Sequence, residues 1–342
     1  MEKESGASIR HCMRRGLILG KFMPLHNGHI GLIEFALQYC DRLTVLLCHH
    51  DGEPINGGIR EAWLHKVFGK EKRIRIESFY YDPAQLTDSS VPSRTSALEW
   101  AAVIKNMLPG ISIVFTSEPY GNYVAEALGI EHRIFDEARQ LFPVSATMIR
   151  QYPFRHWEQM PAVVRSYFVK TVCITGSEST GKSTLCGQLA HAFKTTFVPE
   201  AARSFMGHTQ ECTYEMLMEI AVAHANSILE KKTMANKVLF LDTDIFVTKS
   251  YARHLFRKEL VVPGWVMEAN ASALHIFLET DAPFVQDGTR LARSEREILG
   301  QSHKKILQEH RIPFHTITGP EWDQRTDIAI DLVRRSFFAD PC

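Results

Sequence analysis

Apolar and polar positions along the chain follow two alternating rhythms. Short apolar runs fall at residues 16–19, 43–48, 74–79 and 111–117, and each is too brief for a helix. Between them apolar residues recur every three or four positions, at 30–39, 59–68, 97–108 and 123–128, which predicts amphipathic helices. The rhythm restarts at Val169. Strand-like runs follow at 169–175, 238–241, 273–278 and 314–317, with helical patterns at 185–193, 212–232, 244–257, 294–310 and 321–337. Strands alternating with helices predict α/β architecture with parallel sheets covered on both faces. The expected organisation is an N-terminal arm over 1–15, a first domain over 16–152, a short helical connector over 153–168 and a second domain over 169–342.

A length of 342 residues agrees with two domains. Lys plus Arg and Asp plus Glu both number 39, so the net charge is zero. A general nucleic-acid binder carries a basic surplus, so no nucleic-acid partner is expected. The seven cysteines form no C-x-x-C pair, which argues against a disulfide framework or zinc ribbon and for a reducing compartment. No apolar stretch approaches the ~20 residues needed to cross a bilayer. The opening MEKESGASIRHCMRRG lacks the apolar core of a secretory signal. A soluble, cytoplasmic protein without a membrane partner is expected.

The strongest chemical signal lies in the second half. Gly176-Ser177-Glu178-Ser179-Thr180-Gly181-Lys182-Ser183-Thr184 fits G-x-x-x-x-G-K-[ST] between a predicted strand and a predicted helix. Its glycines let backbone N–H groups curl round phosphate oxygens, and the helix N-terminus adds its positive end. Lys182 supplies charge to the β- and γ-phosphates, and the Ser183 hydroxyl is a Mg²⁺ ligand. A second acidic Mg²⁺ partner is expected at a neighbouring strand end, and Val-Leu-Phe-Leu-Asp242-Thr243-Asp244 supplies it through Asp242. Helix capping is the competing role, above all for Asp244, with Thr243 as a further cap. Glu200 and Arg203 follow a short strand and are candidates for contacting an acceptor hydroxyl. Downstream, Asp287, Arg290, Arg293 and Arg296 offer arginines three apart on one helix face. They fit either a lid over transferring phosphates or a solvated basic face. No guanine-reading N-K-x-D follows, so a small-acceptor kinase fits better than a GTPase.

The first half carries Gly20-Lys21-Phe22-Met23-Pro24-Leu25-His26-Asn27-Gly28-His29. Two histidines three apart, at a helix start, aim two imidazoles at an anion in front of the helix N-terminus. Zinc is the rival reading, but no third ligand stands at a convincing spacing. A second candidate phosphate site is Pro143-Val144-Ser145-Ala146-Thr147-Met148-Ile149-Arg150, where Ser145 caps a helix carrying Thr147 and Arg150. Ser117 and Glu118 fall at the carboxyl end of a predicted strand, where doubly wound sheets bind ligands.

Taken together, H-x-G-H and [ST]-x-[ST]-x-x-R resemble the nucleotidyltransferase superfamily. Arg60 to Leu64 (R-x-x-W-L), Thr116-Ser117-Glu118-Pro119, Pro153-Phe154 with Trp157, the P-loop and Leu241-Asp242-Thr243-Asp244 then occur in one order. That order resembles the NadR family, bifunctional nicotinamide-nucleotide adenylyltransferases and ribosylnicotinamide kinases, over residues ~16 to ~337. The resemblance implies a Rossmann-like nucleotidyltransferase sheet followed by a P-loop kinase. It implies phosphorylation of ribosylnicotinamide by ATP with Mg²⁺, then adenylyl transfer from ATP to the mononucleotide, giving NAD and pyrophosphate. His26 and His29 would contact the phosphate under attack. Ser145, Ala146, Thr147 and Arg150 would hold the departing pyrophosphate, and Gly20–Met23 with Ser117 and Glu118 would line the nucleotide site. Trp100 would stack on the pyridinium ring or else lie in the core. Glu200 or Asp244 would orient the kinase acceptor.

The family segment E-Y-[AG]-R reads Glu200-Ala201-Ala202-Arg203, without the aromatic ring. Only about 15 residues precede the first strand, too few for the helix-turn-helix of some members, so repression is not expected. A homo-oligomer is compatible with all of this. Two other readings share some motifs: a pantetheine-phosphate adenylyltransferase fused to dephospho-coenzyme A kinase, and a non-catalytic NAD/ATP sensor. If the arginine run is a lid, Arg290→Ala lowers kcat/KM for phosphorylation by roughly 2–4 kcal/mol, the scale of a lost clamp on developing charge. Thermal stability should barely change. Kinase kinetics and melting of that one variant check both.

Overall fold

Strand and helix alternate through the computed structural model, which describes residues 13–88, 93–205, 212–281 and 293–339. The chain divides after Val164 into two units. In the first, β1 (Arg15–Gly20), β2 (Arg42–His49), β3 (Ile74–Tyr80), β4 (Ile113–Thr116) and β5 (Glu131–Ile134) form a parallel sheet in the order β3-β2-β1-β4-β5. The helices between them are α1 (Asn27–Ala36), α2 (Gly57–Phe68), α3 (Arg94–Met107) and α4 (Gly121–Leu128), and α5 (Ala146–Gln151) follows the last strand. Leu17 on β1 lies opposite Thr44 on β2 and Val114 on β4, so the first strand is the centre of the sheet. Its apolar run and those of β2 and β4 are buried, with Leu17, Val45, Leu46, Ile113, Val114 and Phe115 sealed from solvent. Side chains end the connections cleanly: Asn56 caps α2 and Ser93 caps α3 by accepting first-turn amides.

The residues between 153 and 168 form a short 3₁₀ turn at Trp157–Gln159 and α6 (Ala162–Phe168). The second unit pairs β6 (Lys170–Gly176), β7 (Phe197–Val198), β8 (Val238–Asp242), β9 (Leu274–Leu278) and β10 (His315–Ile317) in the parallel order β10-β9-β6-β8-β7. Its helices are α7 (Lys182–Ala192), α8 (Tyr214–Lys232), α9 (Ile245–Phe256), α10 (Gly264–Ala269), α11 (Arg293–Glu309) and α12 (Trp322–Phe337). Again the first strand is central. Ile174 on β6 pairs with Asp242 on β8 and with Ile276 on β9, which brings the Asp242 carboxylate level with the start of the P-loop. No helix among the described residues is long and apolar enough to cross a membrane.

Two elements escape the hydrophobic pattern. β5 reads Glu-His-Arg-Ile at the sheet edge and offers no apolar run, and α10 is a helix of only six residues. Trp100 needs a correction. Its ring is 0% exposed and packs edge-on against Phe79 and Tyr81, while Nε1 donates to Thr87 O at 2.9 Å. It is a core residue of the α3 face, with no surface left for a pyridinium ring. Trp100→Ala should cost about 3–5 kcal/mol of stability, the range for emptying a buried aromatic site, measurable by denaturant unfolding.

Candidate functional site

In the first unit the polar chemistry gathers where β1 ends. Gly20 closes the strand, and the chain runs on to His26, the N-cap of α1. Two arginines hold this loop by its carbonyls. Arg60, fully buried on α2, donates to Lys21 O at 2.8 Å and pairs with Glu53. Arg150 on α5 donates to Met23 O and, at 3.1 Å, to Thr147 Oγ1. Lys21 Nζ lies 2.9 Å from Glu53 and 2.5 Å from Asp88. Burial alone would depress the Lys21 ammonium, but its bonds to Asp88 and Glu53 outweigh that and hold it above its ordinary value. Phe22, between the two anchored carbonyls, turns through a positive φ of 48° with its ring buried.

His26 accepts the Gly28 amide through Nδ1 at 3.1 Å. A neutral imidazole that accepts at one nitrogen carries its proton on the other, so His26 presents Nε2–H as a donor. The His29 ring stacks on it at a centroid distance of 3.8 Å, and His29 Nδ1 is buried without a hydrogen-bond partner. Burial drives the His26 pKa down to about 4, with the Arg139 charge adding to the shift. Burial, His26 and Arg139 push His29 well below its ordinary value. Both rings are therefore neutral near pH 7, and what they offer is N–H dipoles rather than positive charges.

The late motif meets the loop that leads to this pair. Ser145 Oγ accepts the Met148 amide at 3.2 Å and caps α5, whose Arg150 reaches the loop before α1. Phe142, just ahead of the motif, lies flush on α1: a Cβ added at Gly31 would stand 2.5 Å from its ring. Ser117 follows the last residue of β4, Thr116, whose hydroxyl donates to Glu118 O at 2.7 Å. The Glu118 carboxylate pairs with Arg139 at 3.5 Å. Arg139 is one residue here that sequence reasoning missed. It belongs to no motif, and only folding brings its charge to the two histidines.

In the second unit, β6 ends at Gly176 and α7 begins at Lys182. Gly181 sits at φ 85°, a left-handed conformation that favours glycine, and a Cβ there would overlap the ring of Trp322. Lys182 Nζ donates to Ser177 O at 2.8 Å, and Thr180 Oγ1 donates to the same carbonyl at 2.9 Å. A chain of polar contacts leads away from the loop. Ser183 Oγ donates to Asp242 Oδ2 at 2.5 Å, Arg203 donates to Ser183 Oγ at 2.8 Å, and Arg203 pairs with Glu200 at 3.2 Å. Asp242 is buried and its Oδ1 has no hydrogen-bond partner. Burial raises its pKa, against the pull of Lys182. An orphaned carboxylate oxygen beside a serine hydroxyl is a donor set that fits Mg²⁺.

Asp244 is differently employed. Its Oδ1 caps α9 by accepting the amides of Phe246 and Val247, and its Oδ2 bonds His275 Nε2 at 2.9 Å. Cys173, Asp244 and His275 are buried with ligand atoms within 4.8 Å of one another. The direct His275–Asp244 bond and the helix cap make this trio a hydrogen-bonded network rather than a metal cage. Thr243, between the two aspartates, turns through φ 72° while its amide bonds Ile174 O at 3.0 Å. Glu178 accepts from Tyr251 OH at 3.4 Å, and its carbonyl accepts from buried Arg296 on α11 at 2.9 Å. Of the expected lid, Asp287 and Arg290 lie outside the described residues, and Arg293 opens α11.

A family model described as an AAA domain matches residues 171–325. The trifunctional NAD biosynthesis/regulator protein NadR of Salmonella typhimurium is 31% identical over 339 residues, covering 93% of this chain and 82% of its own. Two solved structures of NadR protein superpose with a TM-score of 0.76 at 22% identity and cover 96% of this chain. The one in complex with NR is itself covered over 97% of its length, and the one in complex with NAD and AMP-PNP over 98%.

The neutral histidines give the fold an acid sensitivity of definite sign. Folded His26 takes a proton only near pH 4, whereas an unfolded imidazole does so near 6.5. Stability from the neutral ring is therefore complete above pH 6.5 and is lost as pH falls toward 4, by at most about 1.4 kcal/mol per pH unit. His26→Asn keeps an N-cap acceptor and removes the titration. Urea unfolding of the first unit between pH 7.5 and 4.5 should show a shallower loss in that variant than in the wild type.

Proposed function

Because this chain belongs to the NadR family, with 31% identity to a relative it covers over 82% of that protein's length, we propose that it makes NAD from ribosylnicotinamide in two ATP-dependent steps. The observation that carries the reading is the presence of two separate phosphate constellations, one at the end of the central strand of each unit. Cytoplasmic work on small molecules agrees with this assignment.

The second unit acts as ribosylnicotinamide kinase. Main-chain amides from Gly176 to Ser183 cradle the triphosphate of ATP, and Lys182 turns from Ser177 O to the β- and γ-phosphates. Ser183 and Asp242 would hold Mg²⁺, which when bound would neutralise charge on the triphosphate. The 5′-hydroxyl of ribosylnicotinamide attacks the γ-phosphorus, a new P–O bond forms, and ADP leaves. Glu200 receives the hydroxyl proton, since both Asp244 oxygens are committed to the α9 cap and His275. Arg203, between Glu200 and Ser183, steadies the acceptor beside the transferring group.

The first unit acts as adenylyltransferase. The phosphate of nicotinamide mononucleotide attacks the α-phosphorus of a second ATP, one P–O bond forms, and the bond to pyrophosphate breaks. His26 and His29 donate N–H bonds to the oxygens that gain charge, and they stay neutral throughout. Arg150, Thr147 and Ser145 hold the departing pyrophosphate. Gly20–Met23, held by Arg60 and Arg150, forms the wall against which the nucleotide rests.

Product analysis with Mg·ATP and either ribosylnicotinamide or dephospho-coenzyme A tests the substrate. A paired substitution tests the two-site mechanism. Lys182→Ala should abolish phosphorylation and leave adenylyl transfer largely intact. His29→Ala should cut adenylyl transfer by at least about a hundredfold, the scale of losing one preorganised donor, and spare phosphorylation. Parallel loss of both activities in either folded variant would refute two independent sites.

A further inference from the structure

We propose that Trp322 is the platform on which the base of the phosphoryl-donor nucleotide stacks in the second unit; the proposal rests on the kinase reading of that unit. Trp322 is the first residue of α12, and its indole lies against Gly181, the N-cap of the phosphate-cradling helix α7. The contact is so close that a Cβ at Gly181 would overlap the ring. The base of a nucleoside triphosphate stands one ribose away from its α-phosphate. An aromatic ring touching the first turn of the cradle is within reach of that base.

The indole is held firmly, yet much of it faces solvent. Thr326, one turn along α12, donates its hydroxyl to Gln188 on α7 at 2.8 Å and so ties the two helices together. Arg325 carries its guanidinium 5.6 Å from the Trp322 ring centroid. That arginine is itself buried, with Nε on Gly319 O at 2.7 Å, further bonds to Glu279 O and an ion pair to Asp281. It cannot swing away from the indole. Trp322 nonetheless remains 40% exposed. A single exposed aromatic is ordinary. A large ring anchored on one side by a buried cation, with its edge on a P-loop glycine, is shaped to receive a flat partner. Stacking needs only the face of a base, and each such contact contributes substantially to nucleotide affinity.

The test separates the base from the phosphates. Inorganic tripolyphosphate fills the cradle and has no base, whereas ADP and ATP have both. In the full-length protein, Trp322→Ala should raise the KM for ATP in phosphorylation by roughly 10- to 100-fold, the scale of a lost base–aromatic stack. The kcat should change less than about threefold, because stacking is equal in ground and transition states. Inhibition by tripolyphosphate should be unaltered, Trp322→Phe should recover most of the loss, and adenylyl transfer by the first unit should be unaffected. An unchanged KM for ATP, or equal weakening of ATP and tripolyphosphate, overturns the proposal; the second result would make Trp322 a support of the loop. Calorimetric binding of ADP and tripolyphosphate to the wild type, the Ala variant and the Phe variant needs no acceptor: ADP should weaken in the Ala variant alone and tripolyphosphate in neither. It decides on Trp322 even if ribosylnicotinamide proves not to be phosphorylated, an outcome that would count against the kinase reading alone.

Discussion

A parallel strand buried on both faces must satisfy every backbone donor and acceptor on its two neighbours, and it can stop only where the chain turns out of the sheet. In each unit the innermost strand under this constraint is the first one, β1 or β6, flanked on both sides by later strands that are themselves paired further out. The chain leaves it through a short loop into a helix, whose opening amides have no partner within the helix. That end is electropositive and lies at the crevice where neighbouring crossovers diverge. All the chemistry described above is hung on those two points.

The two points are dressed in opposite electrostatic styles. In the first unit, burial keeps the stacked imidazoles uncharged, and the nearby cations Lys21, Arg60 and Arg150 are occupied with carboxylates or carbonyls. A neutral, preorganised dipole array suits a reaction in which one phosphate displaces another, because charge is redistributed along phosphorus–oxygen bonds and no proton has to move. In the second unit a buried carboxylate with an unpartnered oxygen faces a lysine across the mouth of the loop. There the site draws on strong opposite charges, as suits a triphosphate that arrives with its own cation.

Much of this was legible in the sequence for a physical reason: strand–turn–helix phosphate sites are local. The residues from Gly20 to His29 and from Gly176 to Thr184 carry both the turn and the ligands within one short segment, and the apolar runs before them mark the strands. What escaped was non-local or edge-bound. Arg139 reaches the histidines only after the chain has crossed the sheet, and Glu53 and Asp88 meet Lys21 from two separate loops. Trp322 touches the P-loop from the last helix of the unit. β5 lacked an apolar signature because an edge strand has less surface to bury. Trp100 had the right helical spacing for either a core or a ligand-facing role, and only its full burial decides between them.

The contact between Gly31 and Phe142 has a consequence for how this enzyme can change over time. The ring fills the space that a side chain on α1 would need, so the two positions share a single volume although they lie far apart in the sequence. A larger residue at 31 is tolerable only alongside a smaller one at 142. Any drift in that shared volume would alter the gap between α1, which His26 caps, and the segment leading into α5. These two apolar residues therefore set the spacing between the two helices, and among homologues they should change together or not at all.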